Sequence, residues 1–433
     1  MKNIGPTFKE TGKPAIYCML GDEPLMFSPY EVMSDSHKEH VRLMRREILI
    51  FTMSILPISK KNDIFILDKA FLEYKEFFTW HKQVFKRFGL DYAKKIIFTD
   101  EEKKYPLALQ KLNKTNILSS VCFSYMLDSY VDIKSQLEIS KKVNSKIELV
   151  TSSKKYNFQI PHSLVFTKKE IMQMKKLPKR FSNKEFILKT DGLGGGFNVR
   201  KCTNLKDCKV FLNDFNEDTE FILQEKIDGD VFNEYISDFI IQTKKITLAN
   251  TRLKLTLDNQ WFGNVYLPIS FNKFQLNNLM KCAKYLQKIG FCSPDGFIAG
   301  LDFFQNKKDQ FIFEINARWT GGFPIAMLLK KLGVLNKIPA ISYLDKIKEN
   351  EIEIYKKFVE THLYSSKRDL KNGFAILPVA FSPYVEKKFL TVWFVVLGDY
   401  EKFLEAKKHL FSKESFALSN VVYDILKKSR STL

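Results

Sequence analysis

Two stretches of the chain carry side chains whose types and spacing could handle a phosphate group and its metal ion. The first is FILKTDGLGGGFNVR at 186–200, where Lys189 ends a run of strand-forming residues just before a glycine-rich loop. The glycines of this loop are Gly192, Gly194, Gly195 and Gly196. Because glycine has no Cβ, backbone amides in the loop can approach a bulky anion, and Lys189 adds a positive charge beside it. This pattern predicts a phosphate-binding loop.

The sequence around the loop separates it from two other phosphate-binding loops. A Walker A loop needs Gly-Lys-Ser or Gly-Lys-Thr before a helix, and in a dinucleotide-binding loop the last glycine opens a helix. Here the glycines are followed by the strand-like residues 197–200. The pattern favours a flap between two antiparallel strands that closes over a nucleotide. A surface hairpin without a ligand explains this stretch, taken alone, equally well.

The second stretch, FIFEINAR at 311–318, combines acidic and amide side chains in a predicted strand. Glu314 and Asn316 share one face because residues two apart in a strand point the same way. Asp302 lies in the apolar run FIAGLDFF, where an adjacent strand could bring it beside Glu314. Each carboxylate alone is more simply explained as a solvent-facing residue of a half-buried strand. Together, two carboxylates and an amide oxygen suit Mg²⁺, with Mn²⁺ as a substitute.

The order of these features resembles the ATP-grasp superfamily: a lysine, a glycine flap, an aspartate, and then Glu-x-Asn-x-Arg. The resemblance implies an α/β (α+β) ATP-grasp fold, with ATP and Mg²⁺ bound between two lobes. Asp302, Glu314 and Asn316 would then be the metal ligands. Lys189, Arg318 and Arg252 would be the catalytic cations.

The same resemblance implies the other nucleotide contacts. Lys146, in the sequence Asn144-Ser145-Lys146, corresponds to a second phosphate-binding lysine, and Gly194, Gly195 and Gly196 would contact the phosphates. The hinge segment FILQEKIDG would place Gln224, Glu225, Lys226 and Ile227 along the adenine and ribose. Many family members carry an arginine shortly before the first metal carboxylate, where this chain has Ala299-Gly300-Leu301. Arg252, on the predicted strand LANTRLKL, is therefore assigned that role.

Hydrophobic periodicity and the resemblance together divide the chain into three parts. Residues 1–139 alternate strands with helices and predict a pre-ATP-grasp α/β domain. Residues 140–344 form the predicted ATP-grasp domain, with its hinge near 224–229, and residues 345–433 a small C-terminal α+β cap with strands at 374–381 and 389–397. The SKK and NSK segments leading into QIPHSLVF are similar to the pheganomycin-type peptide ligases.

Composition limits the classes of partner and location. No apolar stretch approaches the ~20 residues of a membrane-spanning helix. The net charge of +20 comes from lysines spread along the chain. They occur without an arginine-rich block, zinc motif or RNA-binding signature, which argues against specific nucleic-acid binding and leaves an acidic peptide or carrier protein as a partner. The six cysteines are scattered without metal-binding spacing, as is typical of a cytoplasmic protein.

These features predict an ATP-dependent carboxylate-amine ligase that forms an amide or peptide bond through an acyl phosphate and releases ADP and phosphate. Its substrates would be small-molecule amino acids or peptides. Two alternatives stay open. One is an ATP-grasp ligase that loads an amino acid onto a carrier protein or thiol, and the other is a nucleotide-binding protein without turnover. Self-association as a homodimer is also left open by the sequence.

Overall fold

The structure, a computed structural model, describes residues 4–8, 14–18, 24–90, 93–99, 117–129, 131–182, 184–191, 198–257, 260–365, 370 and 373–430. Within them the strands form three sheets, of five, four and eight strands. No helix among these residues is both long and apolar enough to cross a membrane.

The first sheet is parallel and lies in the amino-terminal region. Its strands are β1 (Ile4–Gly5), β2 (Ala15–Cys18), β3 (Ile64–Asp68), β4 (Lys95–Thr99) and β5 (Ile117–Ser119), in the order β1-β5-β2-β3-β4. The helices between them are α1 (Asp35–Ile55) and α2 (Lys75–Arg87), and α1 begins where the Ser34 side chain accepts a hydrogen bond from the His37 amide. The predicted alternation of strands and helices is confirmed here.

Three helices follow this sheet and lead to the second one. They are α3 (Tyr125–Asp128), α4 (Lys134–Asn144) and α5 (Lys146–Tyr156). The second sheet is antiparallel, with β6 (Ser163–Thr167), β7 (Phe186–Lys189), β8 (Val199–Cys202) and β9 (Glu220–Glu225) in the order β6-β9-β7-β8. Helices α6 (Lys168–Gln173) and α7 (Leu205–Leu212) pack on it. The strands β6 to β9 together with α6 and α7 form the small lobe. It has its own hydrophobic core, which includes Phe186, Leu188 and Phe221.

The third sheet is antiparallel and contains the acidic strands. Its strands are β10 (Asn233–Ile241), β11 (Ile246–Leu257), β12 (Gln260–Tyr266), β13 (Phe297–Gln305), β14 (Gln310–Asn316), β15 (Ala340–Lys348), β16 (Phe374–Glu386) and β17 (Phe389–Gly398). Their order is β14-β13-β10-β11-β12-β15-β17-β16. The two strands predicted near the carboxyl terminus therefore exist and extend this same sheet through β15. The two boundaries between the three predicted domains stay a prediction.

The remaining α-helices of the described residues lie between the strands of this sheet along the chain or follow them. They are α8 (Lys273–Lys288), α9 (Phe323–Lys331), α10 (Ile352–Thr361), α11 (Tyr400–Lys408) and α12 (Ala417–Arg430). The apolar residues of α8 recur at i, i+3 and i+4 spacing, which predicts a packing face that includes Leu276, Leu279, Ala283 and Leu286. Leu279, Ala283 and Leu286 are buried, but Leu276 is 42% exposed, so the prediction is wrong for Leu276. At about 100° per residue, Leu276 lies about 80° around the helix from Leu286, at the edge of that face.

Candidate active site

The two predicted metal carboxylates lie opposite each other on neighbouring strands. Asp302 of β13 pairs with Glu314 of β14 in the register of the sheet, and Gly300 pairs with Asn316. Asn316 Nδ2 donates to Asp302 Oδ1 at 2.9 Å. Opposed residues of an antiparallel pair point to the same face. The structure thus brings Asp302, Glu314 and Asn316 together.

A lysine that the sequence analysis missed, Lys254, lies between the carboxylates of Asp302 and Glu234. Lys254 Nζ of β11 is 2.8 Å from Asp302 Oδ2 and 2.6 Å from Glu234 Oε1. Burial alone would lower the pKa of Lys254, but Asp302, Glu234 and Glu314 raise it above its ordinary value. Burial raises the pKa of Asp302, against the opposing effect of Lys254. Lys254 therefore stays protonated and neutralises Asp302.

The two predicted phosphate lysines approach the acidic strands from other elements. Lys146, the first residue of α5, lies with its Nζ 3.4 Å from Glu314 Oε1. Lys189, at the end of β7 in the small lobe, is buried and donates from Nζ to the Phe313 carbonyl oxygen at 3.1 Å. Burial by itself would raise the pKa of Glu314, but Lys146, Lys254, Lys189 and Arg318 lower it to about 2. Glu314 is therefore an ionised carboxylate surrounded by cations.

Arg318 extends from the end of β14 toward the same group. Its Nη2 donates to Asn316 Oδ1 at 2.9 Å, and its Nη1 donates to the Trp319 carbonyl oxygen at 3.2 Å. Its positive charge also contributes to the lowered pKa of Glu314. Arg318 thus belongs to the cluster around the acidic strands.

Arg252 does not lie on an accessible surface of this cluster. It is 1% exposed, and its guanidinium donates to Asn264 Oδ1 at 3.2 Å and Thr320 Oγ1 at 2.9 Å. It also donates to Asp238 and Asn250. The sequence predicts a catalytic role for Arg252, but its guanidinium is engaged with four protein acceptors. The neighbouring cation that faces the carboxylates is Lys254, two positions further along the same strand.

The predicted adenine-binding segment, 221–229, includes most of β9 and continues past the end of that strand. Gln224 is buried on β9, and its Nε2 donates to Ser163 Oγ at 2.9 Å. The side chains of Glu225 and Lys226 form ion pairs with Arg180 at 3.0 Å and Glu185 at 2.6 Å, while Ile227 is half-buried beyond the strand. Three of these side chains are thus engaged within the lobe, and the Glu225 amide donates to the His162 carbonyl oxygen at 2.8 Å. The adenine-binding role of this segment stays a prediction.

The glycine loop itself, including Gly192, Gly194, Gly195 and Gly196, lies outside the described residues. The strands on either side of it are described. In their register Lys189 of β7 is opposite Val199 of β8, and the pairing is antiparallel. The predicted strand–loop–strand arrangement is confirmed for these flanking strands.

The oxygen ligands in the cluster fit a hard divalent cation. Two opposed carboxylates and one amide oxygen are the ligand types that Mg²⁺ prefers, and Glu314 is ionised well below neutral pH. Among the residues that the structure describes, no three His, Cys, Asp or Glu side chains are grouped to hold a metal ion. The candidate set therefore needs Asn316 in addition to its two carboxylates.

Comparison of the sequence with protein-family models and with curated proteins gave no match. Solved structures do match the fold. A biotin carboxylase complex from Campylobacter jejuni aligns with a TM-score of 0.55 at 12% identity, covering 83% of this chain and 87% of the other. The biotin carboxylase domain of a 2-oxoglutarate carboxylase from Hydrogenobacter thermophilus, solved with MgADP, ADP and bicarbonate, gives 0.55 at 9% identity and covers 84% and 87%.

A third structure matches over nearly the whole chain. N5-carboxyaminoimidazole synthetase from Staphylococcus aureus gives a TM-score of 0.53 at 12% identity, covering 94% of this chain and 99% of the other. At such identities the likeness establishes the fold alone. That fold is the α/β (α+β) ATP-grasp fold that the sequence predicts.

Proposed function

We propose that the protein is an ATP-dependent carboxylate-amine ligase that works through an acyl phosphate. The observation that carries this proposal is the meeting of two lysines and an acidic pair from four separate elements. Lys146 of α5 and Lys189 of the small lobe both lie against β14, within reach of Glu314 and its partner Asp302. A polyanion with a bound divalent cation is the ligand that such a mixed cluster suits.

The reaction needs charge neutralisation more than covalent chemistry from the protein. An oxygen of the substrate carboxylate attacks the γ-phosphorus of ATP, and the bond to ADP breaks. The amine then attacks the acyl carbon and expels phosphate. Lys146, Lys189 and Arg318 would hold phosphate oxygens as negative charge shifts between them. Mg²⁺, or Mn²⁺, held by Asp302, Glu314 and Asn316, would supply further charge neutralisation when bound.

We propose that Lys254 also belongs to the site, because of the contacts that its ammonium group makes. Its ammonium contacts Asp302 and Glu234, so it lies on the face where the phosphate and acyl groups would react. We propose that it keeps the acidic strands paired before the metal binds and offers a donor to the transferred phosphoryl group afterwards. We propose that Arg252 lies outside the catalytic set, because its guanidinium donates to Asp238, Asn250, Asn264 and Thr320 within the protein.

A Glu314→Ala variant tests the proposal. Wild-type protein is screened for ADP and phosphate release with MgATP and pairs of amino acids or short peptides. Removal of Glu314 is expected to lower turnover at least ~100-fold, as for other groups that stabilise transition-state charge. Glu217→Ala is the matched control, because Glu217 is exposed and its Oε1 lies 3.4 Å from Lys168 Nζ in a surface ion pair. If wild-type protein binds MgATP but releases no ADP with any pair, the ligation of free amino acids or peptides is contradicted.

The finer assignment is a peptide ligase acting on small amino acids or peptides in the cytoplasm, on its own or as a homodimer. It is supported by the likeness of the NSK and QIPHSLVF segments to the pheganomycin-type ligases. The net charge of +20 favours a second candidate, in which the acceptor is an acidic carrier protein or its thiol. The mass of the product distinguishes the two.

A further inference from the structure

The tripeptide Asn144-Ser145-Lys146 makes contacts well beyond the one made by the Lys146 ammonium. Asn144 ends α4, and its Oδ1 accepts a hydrogen bond from the Ala317 amide at 2.8 Å. Ala317 directly follows the candidate metal ligand Asn316. Asn144 Nδ2 donates to the Ser140 carbonyl oxygen at 2.8 Å, which fixes the side chain. The tripeptide is thereby joined to the end of the acidic strand β14.

The other end of the tripeptide is joined to the small lobe through Asp191. The Ser145 hydroxyl donates to Asp191 Oδ2 at 2.5 Å, and the Lys146 amide donates to Asp191 Oδ1 at 2.5 Å. The Ile147 amide lies 3.3 Å from the same Oδ1. Asp191 lies two residues after Lys189, at the point where the described part of the small lobe reaches the glycine loop.

The backbone around Asp191 is held from the other side of the loop as well. Asn198 Nδ2 donates to the Asp191 carbonyl oxygen at 3.0 Å, and the Thr190 amide donates to the Asn198 carbonyl oxygen at 3.2 Å. A carboxylate at the amino end of an α-helix is stabilised by the helix dipole and by amides that have no partner within the helix. Asp191 is thus a fixed anionic cap on α5, the helix that begins with Lys146.

We infer that Asp191 is a positioning residue for Lys146. By holding the amino end of α5 against the small lobe, it sets where the Lys146 ammonium lies relative to Glu314, while Asn144 fixes the same tripeptide to β14. This inference rests on the proposed function, because it assigns Lys146 to the nucleotide phosphates. The position of the Lys146 ammonium matters because displacing a reacting group by about 1 Å can cost up to ~100-fold in rate.

Electrostatics alone predicts the opposite result, which makes the inference testable. Asp191 is an acidic group close enough to raise the pKa of Lys189. Removing a negative charge beside two phosphate-binding lysines would by itself strengthen the binding of an anionic nucleotide. A weaker affinity in an Asp191 variant would therefore come from lost positioning and not from lost charge. A purely structural cap would lower stability without changing affinity.

The test measures the dissociation constant of MgADP by isothermal titration calorimetry, with urea unfolding measured alongside. Asp191→Ala is expected to weaken MgADP binding about tenfold, the effect of losing charge-assisted hydrogen bonds. Asp191→Asn, which keeps an acceptor oxygen, is expected to weaken MgADP binding by about threefold or less. The matched control is Asp207→Ala, which removes a carboxylate in the first turn of α7, in the same lobe, that accepts from the Thr203 amide at 3.0 Å and hydroxyl at 2.7 Å. It should leave MgADP affinity unchanged.

Two outcomes decide against the inference separately from the proposed function. If wild-type protein and Asp191→Ala bind MgADP equally well, or the variant binds more tightly, Asp191 does not position Lys146, and the proposed function stands. If wild-type protein does not bind MgADP, both are overturned. Should Asp191→Ala fail to fold, Ser145→Ala decides: affinity must fall, and Ser145→Thr, which keeps the capping hydroxyl, must restore it.

Discussion

Lys189 holds its ammonium group in a buried position at the end of β7. It is 4% exposed, and its Nζ contacts the Phe313 carbonyl oxygen at 3.1 Å. Burial lowers the pKa of Lys189 to about 8, with Lys146 acting in the same direction and Glu314 and Asp191 opposing it. In the nucleotide-free protein this lysine therefore loses its charge just above neutral pH.

Nucleotide affinity is therefore expected to fall as the pH rises above about 8. A neutral Lys189 cannot attract phosphate, so the MgADP dissociation constant should rise by up to about tenfold per pH unit above the pKa. Lys189→Arg remains protonated and should show a flatter profile, whatever its absolute affinity. Titration calorimetry between about pH 6.5 and 9.5 measures both profiles. Equal slopes for the two proteins would contradict this role for Lys189.

The sequence predicts the positions of some residues of the candidate site but not of others. Lys189 is recognisable because a lysine at the end of a strand, three residues before the first glycine of a glycine loop, is a local pattern. Asp302 and Glu314 follow from strand alternation and a short connection. Lys254 could not be separated from Arg252 in this way, since both lie on the same face of one strand. Only the register of β11 with β10 decides which cation meets the carboxylates.

At the scale of elements, the pair Arg252 and Asp238 holds the turn between β14 and α9. The Thr320 hydroxyl donates to Asp238 Oδ1 at 2.7 Å, and Arg252 Nη2 donates to Thr320 Oγ1 at 2.9 Å. A Cβ atom on Gly322 would lie 2.0 Å from Arg252 Nε, so the backbone passes directly over the guanidinium. The buried pair thereby fixes the turn that follows Arg318.

Replacing Arg252 with alanine is expected to destabilise the protein by about 3–5 kcal/mol, because Asp238 is left as an unpaired buried charge. Urea unfolding measures the change in the free energy of unfolding. Arg180→Ala is the control, since Arg180 pairs with Glu225 at the surface and its loss should cost less than about 1 kcal/mol. An Arg252→Ala protein with unchanged stability but lost ADP release would instead support the catalytic role predicted from the sequence.

Elements were predictable where the pattern is local, and their partners were not. The strand at 95–99 and the two strands near the carboxyl terminus follow from runs of β-branched and aromatic residues. Nothing in such a run specifies which edge it joins. β16 and β17 reach the large sheet through β15, a pairing between distant segments, so a separate cap was the simpler expectation.

At the scale of the whole molecule, the amino-terminal helices pack directly on the last strands of the large sheet. His81 of α2 places its Nε2 3.0 Å from the Val379 carbonyl oxygen of β16. Trp80 Nε1 of the same helix donates to Glu360 Oε1 of α10 at 2.8 Å. Buried residues of both regions belong to one hydrophobic cluster, including Phe77 and Phe381. Regions far apart in the sequence therefore share a core.

Because His81 lies in this shared core, the stability of the whole chain should depend on pH. The imidazole is 1% exposed, and burial lowers the pKa of His81 to about 3. The native state keeps the ring neutral, whereas the unfolded chain takes up a proton below its ordinary pKa of about 6.5. The folded state therefore loses up to about 1.4 kcal/mol per pH unit as the pH falls from about 6.5 toward 3.

A His81→Gln variant isolates this contribution, because glutamine can still donate to the Val379 carbonyl but does not titrate. Between about pH 7 and pH 5, wild-type protein is expected to lose about 2 kcal/mol more unfolding free energy than the variant. Urea unfolding at the two pH values measures the difference, and His409→Gln, at an exposed position, should behave like wild type. Carboxylates contribute to acid unfolding in all three proteins, so only the difference between them reports on His81. Equal losses in wild type and His81→Gln would mean that the ring is protonated in the folded state and that the shared core admits a charge.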